Sequence, residues 1–214
     1  MVSSELLVLL LDLAGTIAFA VYGALSAIRY TRLDLVGVLV LGSVTAMGGG
    51  AMRDAILGAT PVNAVSDWRY PAAALLGALI TFFAARWLAR LEPAIVVFDA
   101  LGLGFFAVSG AGTALAFGAS PVGAVLLGML TAVGGGTVRD ILLSRIPSIL
   151  YQDLYATSAL VGALIVVVCE ELGFDDLIPA TVGVIAAITI RLVAWRFKIS
   201  APGVPWRDSI SGAD

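Results

Sequence analysis

Thr45-Ala-Met-Gly-Gly-Gly-Ala-Met-Arg-Asp54 returns later in the chain as Thr131-Ala-Val-Gly-Gly-Gly-Thr-Val-Arg-Asp140, with seven of ten positions identical. The correspondence spreads outward from these two stretches. Upstream, Asp12, Gly15, Phe19, Gly23 and Ala24 match Asp99, Gly102, Phe106, Gly110 and Ala111. Downstream, Tyr70, Gly77 and Ala78 match Tyr155, Gly162 and Ala163. Each copy therefore holds three apolar runs with the glycine triplet in the middle one.

The medium follows from composition. Of the 214 residues, 60% are hydrophobic and 13% are charged, and the mean hydropathy is +1.05. Soluble domains are about 45–50% apolar and about 25% charged, so the excess needs a bilayer to cover it. The runs Leu6–Ile28, Leu35–Leu57, Tyr70–Leu88, Ala94–Phe117, Val122–Leu143, Tyr155–Val168 and Leu177–Trp195 are the expected spans. Glu5 stands where a signal peptide would carry basic residues, so the first run reads as a retained helix. The expected fold is an all-α membrane protein of seven transmembrane helices. Residues 1–92 form one three-helix repeat and 93–173 a second. A seventh helix follows over 174–197, then a polar cytoplasmic tail over 198–214.

An odd number of spans per copy makes the second copy enter from the opposite side, as an inverted repeat about an axis in the membrane plane. The basic residues agree. Arg29, Arg32, Arg86, Arg90, Arg139, Arg145, Arg191, Arg196, Lys198 and Arg207 fall on one side, against Arg53 and Arg69 on the other with Glu170, Glu171, Asp175 and Asp176. The positive-inside rule then puts the N-terminus outside and the C-terminus in the cytoplasm. The expected location is the plasma (inner) membrane of a prokaryote, with lipid as the surrounding partner.

Several chemistries are excluded at this stage. The chain has no histidine and one cysteine, Cys169, which reads as a small apolar residue. No nucleophile–base arrangement occurs, so no enzyme, cofactor or tightly bound metal is expected. The net charge of −3 gives no support for nucleic-acid binding.

Three consecutive glycines cost a helix on the order of 3 kcal/mol against alanine. Packing uses one face of a helix, so single small residues satisfy it. Gly48-Gly49-Gly50 and Gly134-Gly135-Gly136 therefore read as breaks in the second and fifth spans, with close packing as the competing reading. A break frees carbonyls, which are oxygen ligands for a monovalent ion. Thr45, Thr131, Thr137 and Ser109 stand near with hydroxyls, and a permeating potassium or sodium ion is expected transiently at Gly49 and Gly135. Ionisable residues inside spans are paired or face water. Matched depth pairs Asp12 with Arg53 and Asp99 with Arg139. Asp54, adjacent in sequence to Arg53, reads as a poor partner for it, and Asp140 stands among the charges near the second triplet.

The doubled Gly-Gly-Gly-x-x-Arg-Asp, the Asp12 and Asp99 segments and the three-plus-three-plus-one plan resemble the prokaryotic branch of the trimeric intracellular cation (TRIC) channels. The repeated unit of that family is catalogued as a glycine transporter domain. The resemblance covers about Leu6 to Trp195. It implies a homotrimer with a potassium-permeable pore in each protomer, lined by second and fifth helices kinked at the glycines. The lysine-bearing motif of animal members is missing, since Gly50-Ala51-Met52-Arg53 has none and Lys198 is the chain's lysine. Two functions stay open on the residues themselves. One is a passive monovalent cation channel. The other is a secondary transporter of a small solute such as an amino acid, because inverted repeats with broken helices are common to that class.

Overall fold

A computed structural model describes residues 4–88, 92–151, 154–174 and 177–200. The helices are α1 (Ser4–Tyr30), α2 (Leu35–Leu57), the short α3 (Asn63–Ser66), α4 (Arg69–Leu88), α5 (Glu92–Ala116), α6 (Pro121–Leu142), α7 (Tyr155–Glu171) and α8 (Leu177–Phe197). Each of the seven apolar runs is thus a helix, and no strand occurs among the described residues. Five of the helices, α1, α2, α5, α6 and α8, are long and apolar enough to cross a bilayer. Arg90, Asp175, Asp176, Arg207 and the tail over 201–214 lie outside the described residues.

Local chemistry starts and stops the helices in matched ways. The carboxylate of Asp34 accepts from the Gly37 amide at 2.8 Å to open α2, and the hydroxyl of Ser120 accepts from the Gly123 amide at 3.2 Å to open α6. Both are N-caps that satisfy a free amide of the first turn. Gly58 ends α2 in the left-handed region at φ 70°, where a side chain would be strained.

Packing repeats the sequence duplication. α1 lies against α2 and α4, and α5 lies against α6 and α7. The halves join along α1–α5 and α2–α6. α8 packs on α5 and α7, and so covers the second half. At the join, Phe19 and Phe106 meet with ring centroids 5.3 Å apart and planes inclined at 54°. Each ring lies over the glycine of the other half, Phe106 over Gly15 and Phe19 over Gly102. Small residues allow this approach, for Ala20, Ala24, Ala107 and Ala111 are fully buried. Phe83, Trp87, Ile80 and Ile185 stand outward and exposed, which suits a surface solvated by acyl chains.

The glycine triplets correct an expectation. α2 runs unbroken through Gly48–Gly50 and α6 runs unbroken through Gly134–Gly136. The two helices cross at the triplets. A Cβ on Gly49 would overlap the Thr131 carbonyl oxygen, and one on Gly135 would overlap the Thr45 carbonyl oxygen. Backbone-to-backbone packing offsets the propensity cost that suggested a break.

Candidate functional site: two buried charge clusters beside the α2–α6 crossing

Charge is carried into the core from both halves. Asp12, Arg53, Asp54, Asp99, Arg139, Asp140 and Arg191 are all buried. An unpaired charge at such depth is costly, so the partners decide the geometry.

In the first half, Arg53 meets Asp12 at 3.3 Å, as matched depth required. It also donates from Nε to Asp54 Oδ1 at 2.9 Å. This corrects the reading of Arg53 and Asp54 as poor partners, because the guanidinium folds back over its neighbour. The second carboxylate oxygen of Asp54 accepts from the Asn63 amide at 2.9 Å, which latches the start of α3 under the end of α2. The Tyr70 hydroxyl reaches Asp12 at 3.3 Å.

In the second half the predicted Asp99–Arg139 pair is replaced. Asp99 accepts from the Tyr155 hydroxyl at 2.8 Å and pairs with Arg191 Nε of α8 at 3.2 Å. Arg191, expected among the interfacial charges of the cytoplasmic side, is instead 3% exposed and stacks 4.7 Å from the Tyr155 ring. Arg139 turns to Asp140, with Nη2 2.6 Å from Oδ1, and lies 4.0 Å over the Tyr22 ring. Its Nη1 is buried without a hydrogen-bond partner among the described residues. Asp140 also accepts from the amide and hydroxyl of Ser148, both at 2.8 Å, the counterpart of the Asp54–Asn63 latch. Replacing Ser148 with alanine removes one bond to a charged acceptor, worth about 1.5–3 kcal/mol. The expected result is a melting temperature lower by roughly 3–10 °C, read in a detergent melt.

The hydroxyls expected near the ion are already engaged with backbone. Thr45 donates to the Leu41 carbonyl at 2.7 Å, Thr131 to Leu127 at 2.6 Å and Thr137 to Val133 at 2.9 Å. Thr45 and Thr131 fill the gaps left by Gly23 and Gly110. The Ser109 hydroxyl is buried without a partner among the described residues.

Two cavities adjoin this framework. A small recess of about 10 Å³ is lined by Asp12, Thr16, Gly50, Arg53, Asp54 and Tyr70, among others. A larger cavity of about 500 Å³ lies between α1, α5, α7 and α8, with Glu5, Glu170, Ser109 and Thr113 among its lining. Asn63 borders both. Outside the spans, hydrogen bonds from Arg69 hold the Asp67 carboxyl below the usual carboxylate range, and that pair pins the turn into α4.

Sequence reasoning missed Tyr22, Tyr70, Tyr155 and Arg191. The tyrosine pair was visible, because Tyr70 and Tyr155 are repeat-equivalent. Arg191 carried no such signal, since α8 has no counterpart in the repeat.

An apolar-surfaced helical assembly with paired charges along its internal join is a multi-pass membrane protein. The glycine transporter family matches twice, over residues 9–86 and 96–171. The chain is 51% identical over 197 residues to a UPF0126 membrane protein of Streptomyces coelicolor, covering 92% of this chain and 90% of that one. It is 38% identical over 199 residues to the inner membrane protein YadS of Escherichia coli K12, covering 92% and 96%. Among solved structures, the TRIC orthologue from Rhodobacter sphaeroides superposes with a TM-score of 0.85 at 39% identity, covering 90% of this chain and 98% of that one. A TRIC cation channel solved to explain conductance gives 0.84 at 35% identity, covering 91% and 96%. The chain belongs to the TRIC family, in its prokaryotic branch, whose repeated unit is the glycine transporter domain.

Proposed function

We propose that this protein is a monovalent cation channel, permeable to potassium, with a pore in each protomer of a homotrimer. The observation that carries the reading is the likeness to solved TRIC cation channels over about nine-tenths of the chain. The glycine crossing supports it from within. Gly49 and Gly135 press α2 and α6 together, and buried carboxylates lie in each half beside that crossing. This arrangement is the shut state. Parting α2 from α6 opens a path along Gly48, Gly50, Gly134, Gly136, Thr45, Thr131 and Thr137. The cavity holding Ser109, with carboxylates Glu5 and Glu170 in its lining, is the outer vestibule, and negative charge there raises the local cation concentration.

Seven crossings in an inverted repeat complete the proposal, with the N-terminus outside and the C-terminus in the cytoplasm. Glu5 at the start of α1, Asn63 past α2 and Glu170 at the end of α7 border one cavity, as a shared side requires. Arg145 past α6 lies 3.8 Å over the Tyr30 ring at the end of α1, which groups those ends on the other side. With Arg53, Arg139 and Arg191 buried, the exposed basic residues of the described chain still divide as Arg29, Arg32, Arg145, Arg196 and Lys198 against Arg69. In sealed proteoliposomes loaded with potassium, the expected result is a passive efflux that tracks the imposed voltage and does not saturate with the gradient of any second solute. Uptake that saturates and needs a coupling ion would replace the channel with a transporter.

A further inference from the structure

The two copies of the repeat differ along one face of α5. The spacing that carries Asp12 onto Asp99 also carries Tyr22 onto Ser109, Leu25 onto Gly112 and Ser26 onto Thr113. Tyr22 and Leu25 are buried side chains of the first half. Their counterparts Ser109 and Gly112 both border the cavity of about 500 Å³. A Cβ on Gly112 would meet nothing nearer than Val8 Cγ2, at 3.8 Å. The cavity thus opens where two large side chains are exchanged for small ones, and its size falls within the range of about 300–1,000 Å³ of small-molecule pockets.

Its polar groups stand at opposite ends. Glu5 lies in the first turn of α1 and Glu170 in the last turn of α7. Both are exposed, and both belong to the rim. Ala116 ends α5, so Thr113 lies about 4–5 Å and Ser109 about 10 Å inward along the helix. The hydroxyls of Ser109 and Thr113 are buried without a hydrogen-bond partner among the described residues. Ser26, the counterpart of Thr113, instead donates to the Tyr22 carbonyl at 2.8 Å. Ser109 is 1% exposed, and a hydroxyl left unpaired at such depth is costly. Leu7, Leu11, Val108 and Val166 give apolar walls between the two ends.

We infer that this cavity binds a small organic amine, with its ammonium at Glu5 and Glu170, its apolar body between the helices and a hydrogen-bonding group at its far end on Ser109 and Thr113. Each part of that ligand answers a feature of the lining. A lipid acyl chain would cover the walls but leave both hydroxyls unpaired. An aminophospholipid would set its phosphate against the glutamates. The site goes beyond the channel reading. An amine seated there stands across the proposed vestibule, but its binding is measured without flux, so either reading can fail alone.

The test is equilibrium dialysis of the full chain in detergent against three compounds of one shape, with empty micelles as the blank. Tyramine carries both polar ends, phenethylamine lacks the hydroxyl and 4-ethylphenol lacks the ammonium. Tyramine is expected to bind tightest. Phenethylamine should be about two- to tenfold weaker, as one hydrogen bond is worth. 4-Ethylphenol should be about two- to fivefold weaker, as an exposed charge pair is worth. Ser109→Ala together with Thr113→Val should bind tyramine and phenethylamine alike. Gly112→Leu copies Leu25 into the second half, so it should melt no lower than wild type and lose tyramine binding. The comparison of the three compounds on wild type decides the matter even where a variant does not fold. Wild-type uptake no greater than in empty micelles, or equal uptake of all three compounds, overturns the site. So does tyramine binding that a folded Gly112→Leu protein retains.

Discussion

Gly49→Ala and Gly135→Ala, each alone, should lower the melting temperature by roughly 2–12 °C. The reason is local and opposite to helix propensity, which favours alanine by about 1 kcal/mol. Each new Cβ would overlap a backbone carbonyl oxygen, Thr131 for Gly49 and Thr45 for Gly135. A carbonyl inside a helix cannot rotate away, so α2 and α6 must separate. Overpacking of this kind costs about 1–3 kcal/mol even where side chains can yield, and at about 2–4 °C per kcal/mol the shift is large. Gly50→Ala is the control within the same triplet. Its Cβ would have Arg53 Nη2 as nearest neighbour at 3.9 Å, so it should stabilise by about 1 kcal/mol. Equal effects at Gly49 and Gly50 would mean that the crossing is not close-packed as described.

The second large effect is expected at Asp99 and Arg191. Removing one partner of a buried pair strands the other and costs about 3–5 kcal/mol. Arg191→Met and Asp99→Asn should each cost that much. Their double mutant should cost less than the sum, with a coupling of about 0.5–3 kcal/mol. The same cycle between Asp99 and Arg139 should give a smaller coupling, because Arg139 bonds Asp140. The reverse order of couplings would restore the pair that matched depth suggested.

These two sites also mark how far the sequence can be read. Seven apolar runs became seven helices with ends shifted by few residues, because bilayer-length hydrophobicity is a strong and local signal. Asp12–Arg53 was legible because depth is fixed by helical rise, and a buried arginine must find a carboxylate. Asp99 was misassigned because the repeat supplied a template ending at α7, while its partner comes from α8. The folding of Arg53 onto Asp54 was also hidden, since facing rules for helices describe Cβ positions and a long guanidinium stem escapes them. The triplets were misread for a different reason. Propensity is a property of one helix, whereas the gain from carbonyl-to-glycine contact belongs to two, and pairing of α2 with α6 is not written in either segment alone. The phenylalanine exchange, Phe19 over Gly102 and Phe106 over Gly15, was present in the repeat alignment as matched letters but needed the fold to show that each ring crosses to the other half.

The central claim is passive conduction of cations, and recording from the purified protein in planar bilayers tests it most directly. With potassium chloride unequal across the bilayer, unitary current steps that reverse near the potassium equilibrium potential are expected. Gly49→Ala, where it remains folded, should alter how often those steps occur. A silent bilayer containing folded protein, together with saturable ion-coupled uptake in vesicles, would make the protein a transporter and not a channel.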